Sequence, residues 1–397
     1  MGSKVVVAGV SMSRFVKPSV SPSYDDMGAD AVRRALGDAG LTYDKIQQAY
    51  VGYVYGDSTS GQKAVYKAGC TGIPVVNVNN NCASGATALF LARQAVESGM
   101  IDCALALGFE QMKPGALGSV FHDRVDPLED FLKIADTKFE GAEKIPFALR
   151  LFGGAGSEYQ EKYGTKTETF AKVRTKAARH AIHNERAIFR RPLEIEDVLD
   201  GNNIFLNLTK LQCCPPTCGA AAAVVCTEKF AKKYGLGTDV IIAGQAMVTD
   251  FPSSFEEGLI KAVGADMTAA AACQVYESTG IGAEDVDVVE LHDCFTVNEV
   301  ITYEALGLCP EGGAEKFIRD EDNTYGGSVV TNPSGGLLSK GHPLGATGLA
   351  QCYELVTQLR GGSGPRQVEN AQVALAHNLG LGGACVVTAY KKLSNSL

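Results

Sequence analysis

Short hydrophobic runs alternate along this chain with longer amphipathic segments. The runs at 5–10, 74–79 and 103–108 contain few polar side chains, and segments 25–40 and 83–98 have the hydrophobic spacing of helices. Strands without a polar face are typical of sheets that helices cover on both sides. The alternation of such strands with helices therefore predicts a layered α/β fold with right-handed crossovers.

The second half of the chain repeats the pattern of the first half. The run at 5–10 recurs at 240–245, and the Gly-Ala-Thr sequence at 85–87 recurs at 345–347. The offset between matching residues rises from 235 to 260 in chain order. Ordered matches with a slowly growing offset indicate a duplication with small insertions, so we expect two pseudo-symmetric halves that pack together.

The repeat also predicts the domain boundaries. We expect an N-terminal half over 1–112, whose last strand returns at about 219–238, and a C-terminal half over 239–397. Residues 113–218 interrupt the pattern and form an inserted loop domain. Within this insert, 153–156 is a glycine-rich stretch that predicts flexibility.

The insert contains one strongly basic segment. Residues 162–191 hold nine lysines and arginines against two glutamates, a net charge of +7. Most such runs are the solvated face of a helix. A basic segment beside a candidate active site also suits a phosphate-bearing ligand, and the sequence favours neither interpretation over the other.

Composition narrows the class of protein. The chain has 397 residues, is 45% hydrophobic and carries a formal net charge of −9, which disfavours nucleic acid as a partner. Its 12 cysteines are scattered and predict reduced, intracellular thiols rather than a disulfide framework. We expect no membrane span, because no apolar stretch reaches 18 residues, and residues 394–397 are not a Ser-Lys-Leu peroxisomal signal.

Cys82 is the strongest candidate nucleophile. It lies where the predicted strand 74–79 turns into the predicted helix 83–98. Unpaired backbone N–H groups and the helix dipole at such a position favour thiolate over thiol, and small residues follow it. The alternative is a buried structural cysteine, which must describe most of the twelve.

His342 is the counterpart of Cys82 in the second half. Its offset from Cys82 is 260, the same as for the Gly-Ala-Thr match. Two pseudo-symmetric halves would bring these two helix starts together, and a neutral imidazole there would accept the thiol proton. The alternative is a histidine that only caps the following helix.

Two further segments carry candidate chemistry. His292 and Cys294 follow the predicted strand 286–291, and strand ends of this kind hold ligands in open α/β sheets. The glycine-rich loop 377–383 follows another strand and offers backbone N–H groups to an oxyanion or a phosphate. Another strand rather than a helix follows this loop, so a dinucleotide ligand is not expected.

The sequence Cys213-Cys214-Pro215-Pro216-Thr217-Cys218 suggests zinc at first sight. No second Cys or His pair with zinc-site spacing accompanies it. We expect a turn leading into a strand at 220–225, and no metal.

The motifs around these residues resemble those of the thiolases. The Asn-Cys-Ala-Ser-Gly sequence at 81–85 is similar to the thiolase nucleophile motif, and the sequence from Gly341 to Gly348 is similar to the thiolase Gly-His-Pro motif. His-Asp-Cys-Phe at 292–295 stands where most thiolases have Asn-Glu-Ala-Phe, and Asn378 stands where they have a second cysteine. Both departures resemble the thiolase part of sterol carrier protein X. The resemblance covers nearly the whole chain and implies a five-layered α-β-α-β-α sandwich of two βαβαβαββ halves.

The resemblance also implies roles for individual residues. Cys82 would be the nucleophile, His342 its activating base and an oxyanion donor, and Cys294 the acid/base that replaces the usual loop cysteine. His292 would position a water or an oxyanion, with the backbone N–H of Gly380 as a further donor. Lys176, Arg179 and His183 in the basic segment would contact the phosphates of coenzyme A.

The implied reaction is thiolysis of a 3-oxoacyl-coenzyme A, straight, 2-methyl-branched or with a sterol side chain, in β-oxidation. Coenzyme A is then a substrate, and no cofactor is expected. The resemblance further implies a homodimer and a peroxisomal location. The alternatives are a condensing enzyme of the same fold and a non-catalytic lipid-binding protein.

Overall fold

The computed structural model describes residues 3–115 and 118–393. Residues 394–397, which do not form a Ser-Lys-Leu signal, lie outside the described residues. The strands and helices below are numbered in chain order.

The described residues contain the following strands: β1 (Val5–Met12), β2 (Gln48–Gly52), β3 (Val75–Val78), β4 (Cys103–Glu110), β5 (Asn203–Phe205), β6 (Leu208–Thr209), β7 (Gly219–Thr227), β8 (Val240–Val248), β9 (Val288–Glu290), β10 (Val330–Thr331), β11 (Val373–Gly380) and β12 (Ala384–Lys392).

The helices are α1 (Tyr24–Ala39), α2 (Ser60–Ala68), α3 (Ser84–Glu97), α4 (Glu129–Lys138), α5 (Phe147–Tyr163), α6 (Thr167–Ala181), α7 (Ile195–Leu199), α8 (Glu228–Tyr234), α9 (Ser253–Glu256), α10 (Leu259–Ala262), α11 (Ala265–Thr279), α12 (Thr296–Ala305), α13 (Ala314–Arg319), α14 (Gly336–Ser339) and α15 (Thr347–Arg360).

The strands form two five-stranded halves with the same internal order. The N-terminal half runs β3-β2-β4-β7-β1, and the C-terminal half runs β10-β9-β11-β12-β8. In each half the first three of these strands are parallel and the last two are antiparallel to their neighbours. Antiparallel pairing of β1 with β8 joins the halves. The duplication seen in the sequence is therefore a duplication of sheet topology.

Two helices lie between the halves, and others cover the outer faces of the sheet or pack together in the insert. Helices α3 and α15 pack against each other and against strands of the sheets, and most of α15 is buried. Helices α1 and α2 cover strands of the N-terminal half, whereas α11 covers strands of the C-terminal half and α12 packs on α11. Because both faces of β1, β4 and β7 are covered, every residue in these strands is buried. This arrangement is the predicted layered fold.

The structure corrects one predicted loop. Residues 377–380, expected in a glycine-rich loop, continue strand β11, and only Leu381, Gly382 and Gly383 form the turn into β12. His377 and Asn378 are therefore held by sheet hydrogen bonding with β12. Side chains on a paired strand are fixed more firmly than side chains on a loop.

The insert is more regular than its sequence suggested. The glycine-rich stretch 153–156 lies inside α5, where a Cβ on Gly154 would come within 2.4 Å of Leu259, so these glycines serve close packing rather than flexibility. The basic segment is also not one helix, because it spans the end of α5, all of α6 and an extended stretch.

Candidate active site

Cys82 lies in the turn between β3 and α3, directly before the first turn of the helix. It is 8% exposed, and the preceding Asn81 has a left-handed backbone with φ of 49°. Gly380 packs against this turn, since a Cβ there would lie 2.2 Å from the carbonyl oxygen of Asn80. The missing side chain at Gly380 lets the end of β11 reach the cysteine.

Two histidines from the C-terminal half lie beside Cys82. Its Sγ atom, one ring nitrogen of His292 and one ring nitrogen of His342 all lie within 4.8 Å of one another. The two imidazole rings meet edge to face, with centroids 4.9 Å apart. The structure thus brings together three of the predicted site residues, from both halves of the duplication.

The hydrogen bonds of His342 define its tautomer. Its Nδ1 lies 2.7 Å from Oγ1 of Thr347, whose hydroxyl donates to the carbonyl of Pro343. Because the Thr347 proton is committed to that carbonyl, Nδ1 of His342 carries a hydrogen and donates it. The other nitrogen, Nε2, therefore has a free lone pair, and it is buried without a hydrogen-bond partner among the described residues. His342 is arranged as a base.

The hydrogen bonds of His292 define the opposite tautomer. The amide Nδ2 of Asn378 lies 3.0 Å from Nδ1 of His292. An amide NH₂ only donates, so Nδ1 accepts and Nε2 of His292 carries the hydrogen. His292 is therefore arranged as a hydrogen-bond donor. Its backbone is held as well, since its N–H donates to Nδ1 of His377 at 3.3 Å.

Cys294 is buried and lies two residues after His292 in the chain. Burial is the main reason that its thiol pKa is raised well above the ordinary value, and the neighbouring Cys214 and Cys82 raise it further. Its carbonyl accepts a hydrogen bond of 2.8 Å from the N–H of Cys214. Cys294 is thus a protonated thiol near Cys82.

The electrostatics at Cys82 differ from the sequence expectation. Burial raises the pKa of the Cys82 thiol to about 12, and the carboxyl of Glu110 adds to the effect. Burial also lowers the pKa of His342 to about 3, with help from the ammonium of Lys340. Desolvation therefore outweighs the helix dipole in the absence of substrate. The resting pair is therefore a neutral thiol and a neutral imidazole.

The segment from Cys213 to Cys218 contacts both the chain around Cys294 and the chain around His342. Cys213 forms an antiparallel bridge with Phe295, and Pro216 forms a parallel bridge with His342. The segment leads into strand β7, as the sequence predicts, and it also pairs with the backbone at Phe295 and at His342. No local sequence signal identifies these partners, which lie 82 and 126 residues away.

The basic segment is partly consumed by internal contacts. The ammonium of Lys176 is buried in an ion pair with Glu299 and contacts Tyr303 and Thr331. The contact of Lys176 with coenzyme A phosphates stays a prediction, although its charge is already paired within the protein. Arg179 is exposed and pairs loosely with Glu321 at 3.8 Å.

His183, the third predicted phosphate contact, is exposed at the end of α6. It does not line the cavity of about 510 Å³ that Lys176 and Arg179 line together. The structure therefore does not group the three residues in one cavity.

A narrow cleft in the insert adjoins the site. Helix α5 and the β5–β6 hairpin form its outer walls, and Thr296 and Val297 form part of its lining. These two residues directly follow the His-Asp-Cys-Phe motif, whose Phe295 stacks on Phe152 with ring centroids 4.6 Å apart. The cleft therefore ends close to Cys294.

Three residues with clear contacts at the site were missing from the sequence-based assignment. Thr347 orients His342, His377 holds the backbone of His292, and Asp293 binds the segment that carries His342. Thr347 and His377 stood within the quoted motifs, so their proximity to the site was visible. Their hydrogen-bond roles depend on side-chain directions that spacing alone does not provide.

The same three donor atoms of Cys82, His292 and His342 also have the spacing of a metal site. A metal-free site therefore stays a prediction.

Within 3–115 and 118–393, no helix has the length and apolar character that a bilayer crossing requires.

The buried histidines predict a loss of stability at mildly acidic pH. Burial lowers the pKa of four of them: His180, His292, His342 and His377. Below pH 6.5 these side chains take up protons only when the protein unfolds, so stability falls as the pH falls. Glu110 and Asp293 have raised pKa values and oppose the trend. The four imidazoles outnumber these two carboxyl groups, so the net prediction is a fall in stability as the pH falls below 6.5.

Urea unfolding at pH 7.5 and at pH 5.5 measures this effect. We expect a clearly lower midpoint at pH 5.5 with an unchanged slope. An equal or higher midpoint at pH 5.5 would contradict the buried, neutral state of these imidazoles.

Comparison with known proteins supports the same family. Residues 5–198 match the family model for the thiolase N-terminal domain, and residues 260–389 match the model described as thiolase C-terminal domain-like. Sterol carrier protein 2 of Oryctolagus cuniculus is 54% identical over 98% of this chain and 72% of its own length. Non-specific lipid-transfer protein-like 2 of Caenorhabditis elegans is 46% identical over 98% of this chain and 96% of its own length.

A solved structure supports the fold independently. The structure of an Ltp2–ChsH2(DUF35) aldolase matches 98% of both chains with a TM-score of 0.83, at 20% sequence identity. At that identity the match concerns the fold alone. Together with the two domain models and the close relatives, the paired Cys82 and His342 lead to one conclusion: the chain belongs to the thiolase family and is an acyltransferase of the thiolase type.

Proposed function

We propose that the protein cleaves 3-oxoacyl-coenzyme A with a second coenzyme A, releasing a shortened acyl-coenzyme A and acetyl- or propionyl-coenzyme A. The observation that carries this proposal is the buried cluster of Cys82 Sγ with one ring nitrogen from each of His292 and His342, all within 4.8 Å. The cluster joins a nucleophile, a base and a hydrogen-bond donor, which acyl transfer requires.

The first half-reaction forms an acyl-enzyme. His342 Nε2 takes the thiol proton while Cys82 Sγ attacks the 3-keto carbon of the substrate. The bond between Cα and Cβ then breaks, which leaves the acyl group on Cys82 and an enolate of acetyl- or propionyl-coenzyme A. Cys294 gives its proton to the enolate carbon and becomes a thiolate.

The second half-reaction releases the product. The Cys294 thiolate takes the proton of the incoming coenzyme A thiol, whose sulfur attacks the acyl-Cys82 thioester. Cys82 leaves and recovers its proton from His342, so every group returns to its starting state. Each proton that Cys82 and Cys294 give up in one half is restored in the other.

Oxygen atoms that gain negative charge need fixed donors. Nε2–H of His292 is one such donor, because Asn378 occupies its other nitrogen. The backbone N–H groups of Cys82 and Gly380 are the others that we propose. Removal of one oxyanion donor typically lowers the rate by about 10²–10³-fold.

We propose that the thioester arm of coenzyme A enters beside the narrow cleft between α5 and the β5–β6 hairpin, which at about 20 Å³ must widen to admit it. Gly153 and Gly156 line this cleft together with Phe152, Ser157 and Gln160 of the same helix. The cleft ends beside Thr296 and Val297, next to the acid/base thiol. Of Lys176, Arg179 and His183, we propose only Arg179 as a contact for the phosphates of coenzyme A, because its charge reaches solvent.

The decisive experiment incubates the purified protein with straight-chain and 2-methyl-branched 3-oxoacyl-coenzyme A plus coenzyme A, and separates the products. Thiolysis products, together with an acyl mass on the peptide that contains Cys82, are expected. Decarboxylative condensation from malonyl-coenzyme A without thiolysis would favour the condensing-enzyme alternative. Absence of any acyl group on Cys82 would favour a non-catalytic lipid carrier.

On the family resemblance we also propose a homodimer in peroxisomes. Strand β3 supports the first proposal, since it ends the N-terminal side of the sheet and its Val76 is exposed. An edge strand of this kind pairs readily with another chain. Light scattering and organelle fractionation test the two proposals.

A further inference from the structure

Buried carboxylates hold the backbone on both sides of the catalytic base. We call residues 334–345 the His342 segment. Glu290 accepts hydrogen bonds from the N–H and hydroxyl of Ser334, at 3.0 and 2.7 Å. At the other end, Glu110 accepts one of 3.1 Å from the N–H of Gly345.

The middle of the His342 segment is held by Asp293. Its carboxylate accepts hydrogen bonds from the N–H groups of Leu337 at 2.7 Å and Leu338 at 3.4 Å. Asp293 is fully buried. Gly336 has φ of 59°, and a Cβ on it would lie 2.1 Å from Asp293 Oδ2. Glycine at this position is therefore what allows the carboxylate to reach the backbone.

In the chain, Asp293 lies between His292, the proposed donor, and Cys294, the proposed acid/base. Its side chain accepts hydrogen bonds from the His342 segment, which carries the proposed base. One carboxylate thereby connects the backbones that carry three groups acting on the same substrate.

Further buried charges support the connection. Lys340 pairs with Glu290 at 2.9 Å, and both are buried. Arg174 in α6 donates to Oγ of Ser339 at 2.6 Å. Six ionisable groups are buried together around this connection: Glu290, Asp293, Glu299, Arg174, Lys176 and Lys340.

We infer that Asp293 is a positioning residue, which sets the distance between His342 and the His292–Cys294 pair through its hydrogen bonds to Leu337 and Leu338. It does not touch the reacting atoms. Its effect is on the alignment of catalytic groups, and a misplacement of about 1 Å at such a site costs on the order of 10²-fold in rate. The inference rests on the proposed function, in which the three groups act together.

The test uses Asp293→Asn, which keeps the size of the side chain but replaces one acceptor oxygen with a donor that faces an N–H. We expect kcat for thiolysis to fall about 10–100-fold with KM within about twofold. The rate of Cys82 alkylation by iodoacetamide at pH 7 should fall in parallel, because His342 no longer meets the thiol correctly. Alkylation needs no thiolysis, so this readout survives even if the proposed reaction is wrong.

The matched control is Glu354→Gln. Glu354 is also a buried acid, and it pairs with Arg366 at 2.8 Å away from the catalytic segments. This variant should lose stability like Asp293→Asn but keep kcat and the alkylation rate. Equal falls in both variants would reduce the role of Asp293 to general stability and overturn the inference.

A second variant approaches the same contact from the other side. Gly336→Ala displaces the carboxylate without removing its charge, and it decides the matter if Asp293→Asn does not fold. Its kcat should fall by a similar factor, and the double variant should be no slower than the worse single variant. Unchanged kcat, or a change confined to KM, overturns the inference.

Discussion

Replacement of Cys82 by alanine should abolish thiolysis while the protein stays folded. The sulfur is the atom that forms the acyl-enzyme, and no second group at the site takes its place. Loss of the nucleophile in an enzyme with a covalent intermediate removes at least about 10⁴-fold in kcat. Alanine is only one atom smaller, so the buried turn before α3 should keep its conformation. Product separation measures the rate, and circular dichroism checks the fold.

A second buried cysteine is the control for this variant. Cys103 lies in β4 and is fully buried, at a distance in the chain from every proposed catalytic group. Cys103→Ala should keep kcat within about twofold, at a modest cost in stability. Retained thiolysis in Cys82→Ala, or equal losses in both variants, would remove Cys82 from the mechanism.

The periodic features of the fold were predictable because they repeat in the sequence. The strands at 5–10 and 240–245 became β1 and β8, which join the two halves of the sheet. The equal offsets for Cys82 with His342 and for the Gly-Ala-Thr match placed both residues at corresponding helix starts. Duplication turns a sequence offset into a symmetry relation in space, and this is why the pair was found without a structure.

The electrostatic state of the site was not predictable in the same way. A cysteine at a helix start suggested a lowered pKa, whereas burial raises it to about 12. The sign depends on how much water reaches the sulfur, and that is set by packing of the C-terminal half around Cys82, with Gly380 against the preceding turn. Sequence position describes the dipole but not the desolvation.

The insert shows a related difference. Its +7 net charge indicated a phosphate-binding surface or a solvated helix face, and the structure supports a third use for several of these residues. Lys176 pairs with Glu299, and Arg174 binds Ser339 beside the catalytic base. Their partners lie more than 120 residues away in the chain, so only the packed fold reveals that these charges hold the insert to the C-terminal half.

Replacement of Cys294 by alanine should separate the two chemical roles of the site. The enolate would lack its proton donor and the incoming thiol its base, so kcat should fall by about 10²–10⁴-fold. Alkylation of Cys82 by iodoacetamide should continue near the normal rate, because His342 and Thr347 remain in place. His342→Ala should give the reverse pattern at Cys82, with slow alkylation.

The neighbouring Cys214 makes this prediction specific. Its thiol is also buried near Cys82, and its N–H binds the carbonyl of Cys294. Cys214→Ala therefore removes a second thiol from the same place while it keeps the backbone contact. If Cys294 is the acid/base, Cys214→Ala should keep most of its kcat; a larger loss in Cys214→Ala than in Cys294→Ala would transfer the role to Cys214. The assignment rests on the reach of one sulfur to the substrate α-carbon, and this pair of variants isolates that sulfur from the neighbouring thiol of Cys214.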